Sequence, residues 1–324
     1  MDESYELNEL LLEAGLHDHA GPKHTNPKAG LPIYLCAGCF ILFCVIALIF
    51  LLWIQYKPDV CETELQVVTE IRLFQPVIYQ PISADIFLPF GSLLVERSPD
   101  HYIHLKIKKR FNKASFNLLA QLADNALTIR YDPTFLDNII HCRVVDLVLY
   151  LPDSLTINSF TASVTHSIGS SNEFAISLHK LSAHLFFLTS NKGALIANSL
   201  YFQDAYFLLL SCTGSIDSLH GIASTSMTEV ILYDSSIVVQ TLFQGGLTLS
   251  SQYSRLHSVQ LGIYYGWKGE FDIENNEGVI KLKGDGLEVT LDEESRKQGY
   301  FHQADSGSSL TIDADVKLIE VAVP

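Results

Sequence analysis

Basic charge is what this sequence has least of. Its 21 Lys and Arg face 36 Asp and Glu, a formal net charge of −15. A surface that acidic repels phosphate backbones, which excludes nucleic acid as a partner and disfavours anionic headgroups as the main one. Charge of either sign thins out over residues 151–260, which hold six acids and three bases; 270–324 then carry thirteen acids against five bases. Catalytic signatures are also missing. No H-E-x-x-H, G-x-S-x-G, Walker or G-x-G-x-x-G pattern occurs, so neither cofactor nor resident metal is expected. "GDG" at 284–286 reads as a turn, and His101 and His104, on opposite faces of a strand, cannot share a metal. No N-x-S/T sequon follows residue 54, so N-glycosylation is not expected. Disorder is excluded in turn, because 48% of the chain is hydrophobic.

The strongest positive signal is "PIYLCAGCFILFCVIALIFLLWI", residues 32–54, without one charge. A helix over it, at about 1.5 Å per residue, spans a hydrocarbon core of roughly 30 Å. Tyr34, Trp53 and Tyr56 stand at its ends, where amphipathic rings favour the membrane interface. The segment is too long, and too far from the start, for a cleaved signal peptide. We therefore expect a membrane helix over 32–56, behind an acidic cytosolic tail and linker over 1–31. Lys23 and Lys28 on one side against Lys57 on the other favour a cytosolic N-terminus, a type II signal-anchor. In the tail, Glu6, Leu10 and Leu11 match the acidic dileucine pattern D/E-x-x-x-L-L/I, which resembles the sorting signal read by adaptor complexes; an amphipathic helix resting on the membrane is the alternative. Of the cysteines, Cys61 lies just past the anchor, placed for an interchain disulfide in a homodimer.

Beyond a connector over 57–89, the pattern is strand. Ile103, Leu105 and Ile107 alternate with polar residues, as do Leu127, Ile129 and Tyr131, and Val145, Leu147, Leu149 and Leu151. "SPD" between "SLLVE" and "HYIHLKIKK" predicts a hairpin over 92–109. In "SLTIDADVKLIEV" the apolar face is Leu310, Ile312, Ala314, Val316 and Leu318. Helical spacing outside the anchor is confined to "KASFNLLAQLA", 113–123.

Polar corners recur through the middle: "HSIG" at Gly169, "SNKG" at Gly193, "SCTG" at Gly214, "YDSS" at Ser236, "QYSR" at Arg255 and "NNEG" at Gly278, at intervals of 24, 21, 22, 19 and 23 residues. A repeat of about 20 residues predicts stacked coils, an irregular β-solenoid, with glycine at the corners supplying positive φ. A β-sandwich of long hairpins is the alternative. The expected layout is opening strands over 90–151, coils over 152–285 and an acidic closing segment over 286–324.

"VLYLPDS" (148–154), "TSNKG" (189–193) and, more faintly, "NNEG" (275–278) resemble elements of the adhesin-domain family, also described as auto-transporter adhesin head domains. Its members often carry an N-terminal membrane helix before a strand ending in "YLP" and coils turning on "TTNG". The likeness covers 90–324 and implies a β-solenoid adhesin-like domain, without a ligand or active site to carry over. The non-catalytic binding or scaffold reading suits a charge-poor, Ser/Thr-rich face with Tyr and Asn, able to meet a glycan or protein. The enzyme alternative is a polysaccharide hydrolase or lyase using paired carboxylates, Asp204 with Asp217 or Asp217 with Asp234. The expected location is an endosomal or vacuolar membrane, or the cell surface.

Overall fold

The computed structural model describes residues 39–49, 65–73, 80–111, 118–131, 143–166, 174–302 and 307–323. The chain divides into two units, Met1–Pro58 and Asp59–Pro324. In the first, a helix over 39–49 lies inside the uncharged run, and Phe40, Ile41, Leu42 and Phe43 are exposed on it. No helix among the described residues is long and apolar enough to cross a membrane. Tyr34, Trp53, Tyr56, Cys61 and the tail motif Glu6, Leu10 and Leu11 lie outside the described residues.

The second unit is all-β. Its described strands are β1 (Leu65–Leu73), β2 (Ile82–Ser98), β3 (Ile103–Phe111), β4 (Leu119–Ala123), β5 (Ala126–Arg130) and β6 (Arg143–Pro152). Then come β7 (Ile157–His166), β8 (Phe174–Leu178), β9 (Leu181–Asn191), β10 (Ala194–Leu210), β11 (Thr213–Gly221), β12 (Met227–Tyr233), β13 (Ser236–Gln244) and β14 (Gly246–Gln252). The last are β15 (Ser258–Ile263), β16 (Gly269–Asn275), β17 (Val279–Lys283), β18 (Leu287–Asp292), β19 (Arg296–Phe301), β20 (Ser309–Ala314) and β21 (Leu318–Ala322).

Pairing sorts these strands into two rows. The front row runs β4, β5, the first half of β2, β7, β9, the second half of β10, β12, β14, β20, β16, β19, β18. The back row runs β1, β3, β6, the second half of β2, β8, the first half of β10, β11, β13, β15, β21, β17. All neighbours from β5 to β16 in front and from β6 to β17 behind are parallel; antiparallel pairs occur only toward the row ends. From β5 to β18 the chain alternates between rows. Long β2 and β10 serve both. In β2 the switch falls at Gly91, whose φ is +130 and where a Cβ would stand 1.9 Å from the Val145 carbonyl oxygen.

Besides β19, which lies between β16 and β18, two insertions make the order along the rows depart from the order along the chain. β2 is inserted between β5 and β7 in front and between β6 and β8 behind. At the other end, β20 fills the place between β14 and β16, and β21 the place between β15 and β17.

Alternation explains why these residues make strands with one buried side. In β12, Thr228, Val230 and Leu232 are buried while Met227, Glu229, Ile231 and Tyr233 are exposed. Register then stacks the inward residues in columns across the front row. Ile129, Ile86, Ala162, Leu188, Phe207, Val230, Leu249, Ile312 and Ile273 form one column, each at most 1% exposed. The neighbouring column sets Ala84 beside Phe160 and Phe186 beside Ala205, so small residues make room for large ones. Each fully buried aliphatic or Phe contributes about 1.5–3 kcal/mol by leaving water.

Several expectations need correction. Residues 92–109 do not form a hairpin: β6 lies between β2 and β3, pairing parallel with one and antiparallel with the other. A strand buried on one face is better satisfied with partners along both edges, and β6 gives the back row that second partner. Residues 119–123 are strand β4, not helix, because the Asp124–Asn125 turn, with φ of 50 and 61, folds them against β5. At the other end the bend between β20 and β21 shifts the alternation by one residue. Val316 remains buried, but beyond it Ile319 is buried and Leu318 only half-buried.

The corners sit between a front strand and the next back strand, at 192, 211, 234 and 253. The residue with positive φ is Lys192, Ser211, Asp234 or Tyr253, with φ of 54, 50, 48 and 56. Gly193, Gly214 and Gly278 do not have positive φ, and Gly169 lies outside the described residues. Glycine is needed at 214 and 278 for close approach: a Cβ would meet Leu209 Cδ1 at 2.8 Å, or the Lys317 carbonyl oxygen at 2.3 Å.

Candidate binding surfaces

Inside the corners at 211, 234 and 253 a small buried side chain, Cys212, Ser235 or Ser254, follows the left-handed residue. The Cys212 amide donates to Ser235 Oγ at 3.1 Å, and the Ser235 amide donates to Ser254 Oγ at 3.1 Å. Cys212 Sγ donates to the Ser190 carbonyl at 3.4 Å. Burial pushes its thiol pKa up, which keeps it protonated and unreactive. This ladder is architecture, and the chemistry lies outside it.

Three surfaces stand out. The first is the outer front face over β9, β10 and β12, where Leu185, Phe187, Tyr206, Met227, Ile231 and Tyr233 are exposed, Phe187 to 46% and Tyr233 to 44%. Register sets Phe187 beside Tyr206, Leu185 and Met227 on either side of Asp204, and Ile231 beside Leu208. These strands bury their other face in the core, and the apolar residues left outside form a patch interrupted by Asp204 and by the exposed Glu229 beside Tyr206. Exposed apolar surface of this kind marks interaction sites.

The second is a ring stack across the ends of back-row strands β11, β13 and β15 and the middle of β10. Tyr201, His220 and Phe243 stack with centroids 4.3 and 4.2 Å apart and planes within 12°, and Tyr264 and Tyr265 continue the stack. Burial lowers the His220 pKa below the ordinary imidazole value. Ser218 Oγ meets His220 Nε2 at 3.1 Å and donates to Ser199 Oγ at 2.9 Å. Because the inner rings face one another, this stack stiffens the back row and offers mainly its outermost rings to a ligand.

The third is a groove of about 390 Å³ on the outer front face where β20, β16, β19 and β18 meet. Gly299 lies at its centre, where a Cβ would come within 2.0 Å of the Glu288 carbonyl oxygen and 2.7 Å of the Phe271 ring. The register shift between Val289 and Leu291 bends β18, as bulges do, into a wall. Arg296 donates to both oxygens of Asp272, at 3.0 and 2.7 Å, and Gln298 donates to Asp272 Oδ2 at 2.9 Å. The Arg296 guanidinium holds the Asp272 carboxyl below the usual carboxylate range. Tyr300 donates its hydroxyl to Glu288, which raises the phenol's pKa.

The carboxylate pairs drawn from the sequence are not brought together. Asp204 is on the front part of β10, whereas Asp217 lies on β11 between residues paired with Ala197 and Ser199. Asp234 is at a corner, with His257 Nε2 3.1 Å away. His101 is in a turn, and His104 stacks on Tyr150. Among the described residues no group of three His, Cys, Asp or Glu could hold a metal. Sequence reasoning missed the groove because its residues come from four strands whose neighbours are set by the inserted β20; the acidity of 270–324 was the only trace.

No family model matches the chain, and no curated protein matches it by sequence. Similar solved structures include a candidate adhesin from Bacteroides fragilis, at 11% identity and TM-score 0.36, covering 80% of this chain and 98% of that one. A candidate adhesin from Parabacteroides merdae is similar at 10% identity and TM-score 0.36, over 81% and 98%. A candidate lipid-binding protein from Parabacteroides distasonis is similar at 9% identity and TM-score 0.28, over 79% and 96%. Two of these carry the adhesin name that the sequence motifs suggest. Likeness this distant assigns this chain no family, ligand or activity.

Proposed function

We propose that this protein is a single-pass type II membrane protein that holds a non-catalytic, adhesin-like binding or scaffold domain outside the cytosol. The domain is read as an irregular β-solenoid, each coil made of one front and one back strand. The observation that carries the binding reading is the exposed apolar patch of β9, β10 and β12, which a domain without a partner has no reason to leave in water. The uncharged run over 32–54, with its helix over 39–49, supports the anchor, and the dileucine motif supports sorting to an endosomal or vacuolar membrane. Cys61 supports a bridged dimer. The polysaccharide-cleaving alternative is the weaker reading, because the carboxylates it would pair, Asp204, Asp217 and Asp234, lie on the front part of β10, on back-row β11 and at a corner.

A photo-cross-linking side chain at Tyr206 or Ile231 in the full-length, membrane-embedded protein tests this. Both positions should give one discrete adduct absent from a control at Gln260 on the back row. No adduct at either position, or depolymerisation of a polysaccharide by the purified protein, overturns the reading.

A further inference from the structure

We propose that the groove between β18, β19, β16 and β20 is a saccharide-binding site. The proposal rests on the binding-domain reading and deepens it. Its 390 Å³ falls toward the small end of the ligand-site range, roughly 300–1,000 Å³, but its lining is unlike the usual apolar pocket. Phe271 and Leu310 are buried in its floor, and everything presented outward is polar: Glu270, Asp272, Thr290, Gln298, Tyr300, Ser309 and Thr311. A lipid tail would find no apolar wall there.

An anion fits no better. Three carboxylates, Glu270, Asp272 and Glu288, stand near one guanidinium, and Asp272 already takes both of its bonds. A simple cation is also poorly served. Asp272 is matched by Arg296 and Gln298, and Glu288 by the Tyr300 hydroxyl, while Arg296 adds positive charge beside the groove. What stays open is mixed: the exposed Glu270 carboxylate, the Gln298 amide with one N–H and its carbonyl oxygen, and the hydroxyls of Ser309 and Thr311. Such a set matches a ligand whose every group both donates and accepts, and a polyhydroxyl chain is that ligand.

The groove is also held in shape before anything binds. The bidentate Arg296–Asp272 pair and the Gln298 bond fix three side chains on adjacent strands, and the Thr290 hydroxyl donates to the Gln298 carbonyl at 3.2 Å. Preorganised polar groups lose little freedom on binding, the main cost for a weakly held sugar. The groove opens along the outer face, so a chain longer than the groove can run past it.

The test uses full-length protein in nanodiscs on an array of chito-, cello-, xylo- and galacto-tetraoses, followed by calorimetry with any tetraose retained. At least one tetraose should bind, and Gln298→Ala and Glu270→Ala should each weaken it tenfold or more, while Gln260→Ala on the back row leaves it unchanged. Glu270 is exposed, so its variant keeps the fold and isolates the contact. Retention of none of the tetraoses overturns the proposal, as does retention indifferent to both groove variants. Capture of a hepta-lysine peptide in place of any tetraose, lost in Glu270→Gln, also overturns it and makes the groove a cation site. Tetraose binding lost in Tyr206→Ser but not in the groove variants refutes the site while leaving the binding-domain reading intact.

Discussion

Lys192, Ser211, Asp234 and Tyr253 have nothing chemical in common, yet each takes the left-handed conformation where a front strand gives way to the next back strand. Each is followed by a small residue, Gly193, Cys212, Ser235 or Ser254, and the last three are buried. An L-residue in that conformation costs about 1–2 kcal/mol, and the buried amide bonds to Ser235 and Ser254 offset it. Ser235→Ala strips the Cys212 amide of its acceptor and should cost about 1–3 kcal/mol in urea unfolding. Cys212→Ser, which keeps a donor for Ser190, should cost about 1 kcal/mol or less. Gly91→Ala combines positive φ with a collision against Val145 and should cost about 2–4 kcal/mol. His220 sets a pH dependence. Its folded pKa is lowered, so the unfolded chain takes the proton more readily. Its contribution is therefore intact above the unfolded value, near 6.5, and is lost as pH falls below it. Urea midpoints should drop between about pH 7 and pH 5, and less so in His220→Phe, which keeps the ring stack.

At the scale of the element, the inserted pair β20–β21 is the decisive piece. Each strand is bonded along both edges, so removing residues 307–324 uncovers four strand edges at once, those of β14, β16, β15 and β17. The truncated protein should lose hydrogen-exchange protection over β14–β17 and associate through the bared edges, while a synthetic 307–323 peptide added during refolding restores protection. Unchanged protection would mean that β14 and β16 close on each other directly. The strands themselves were legible in the sequence, since period-two alternation marks Ile103–Ile107, Leu127–Tyr131 and Val145–Leu151 without ambiguity. Their partners were not. Alternation says which face is buried and nothing about which strand lies alongside, so β2 and β3, joined by "SPD", read as a hairpin although β6 parts them. Gly193 and Gly214 stand one and three residues past Lys192 and Ser211, where no side-chain preference signals the positive φ. The groove stayed hidden for the same reason as the pairing.

For the whole molecule, the proposed sorting and topology make separate predictions. Changing Leu10 and Leu11 together to Ala should move the protein from an endosomal or vacuolar membrane to the cell surface, read by imaging a tagged copy. Protease added to intact vesicles should remove the tail and spare the unit Asp59–Pro324. The two insertions also give the chain a direction in time. β2 leaves the ribosome early and can serve as a template on which β5 and β6, then β7 and β8, assemble from either side. β20 and β21 are made after β16 and β17, which must wait for them before taking their final neighbours. Until then a nascent domain carries unsatisfied strand edges at its growing end, so a stall or a premature stop between Lys283 and β20 yields a chain that cannot close around β14–β17. Residues 307–323 thus report that synthesis has passed β21: quality control in the compartment where the domain folds need only sense an open edge to recognise a product that ended too soon.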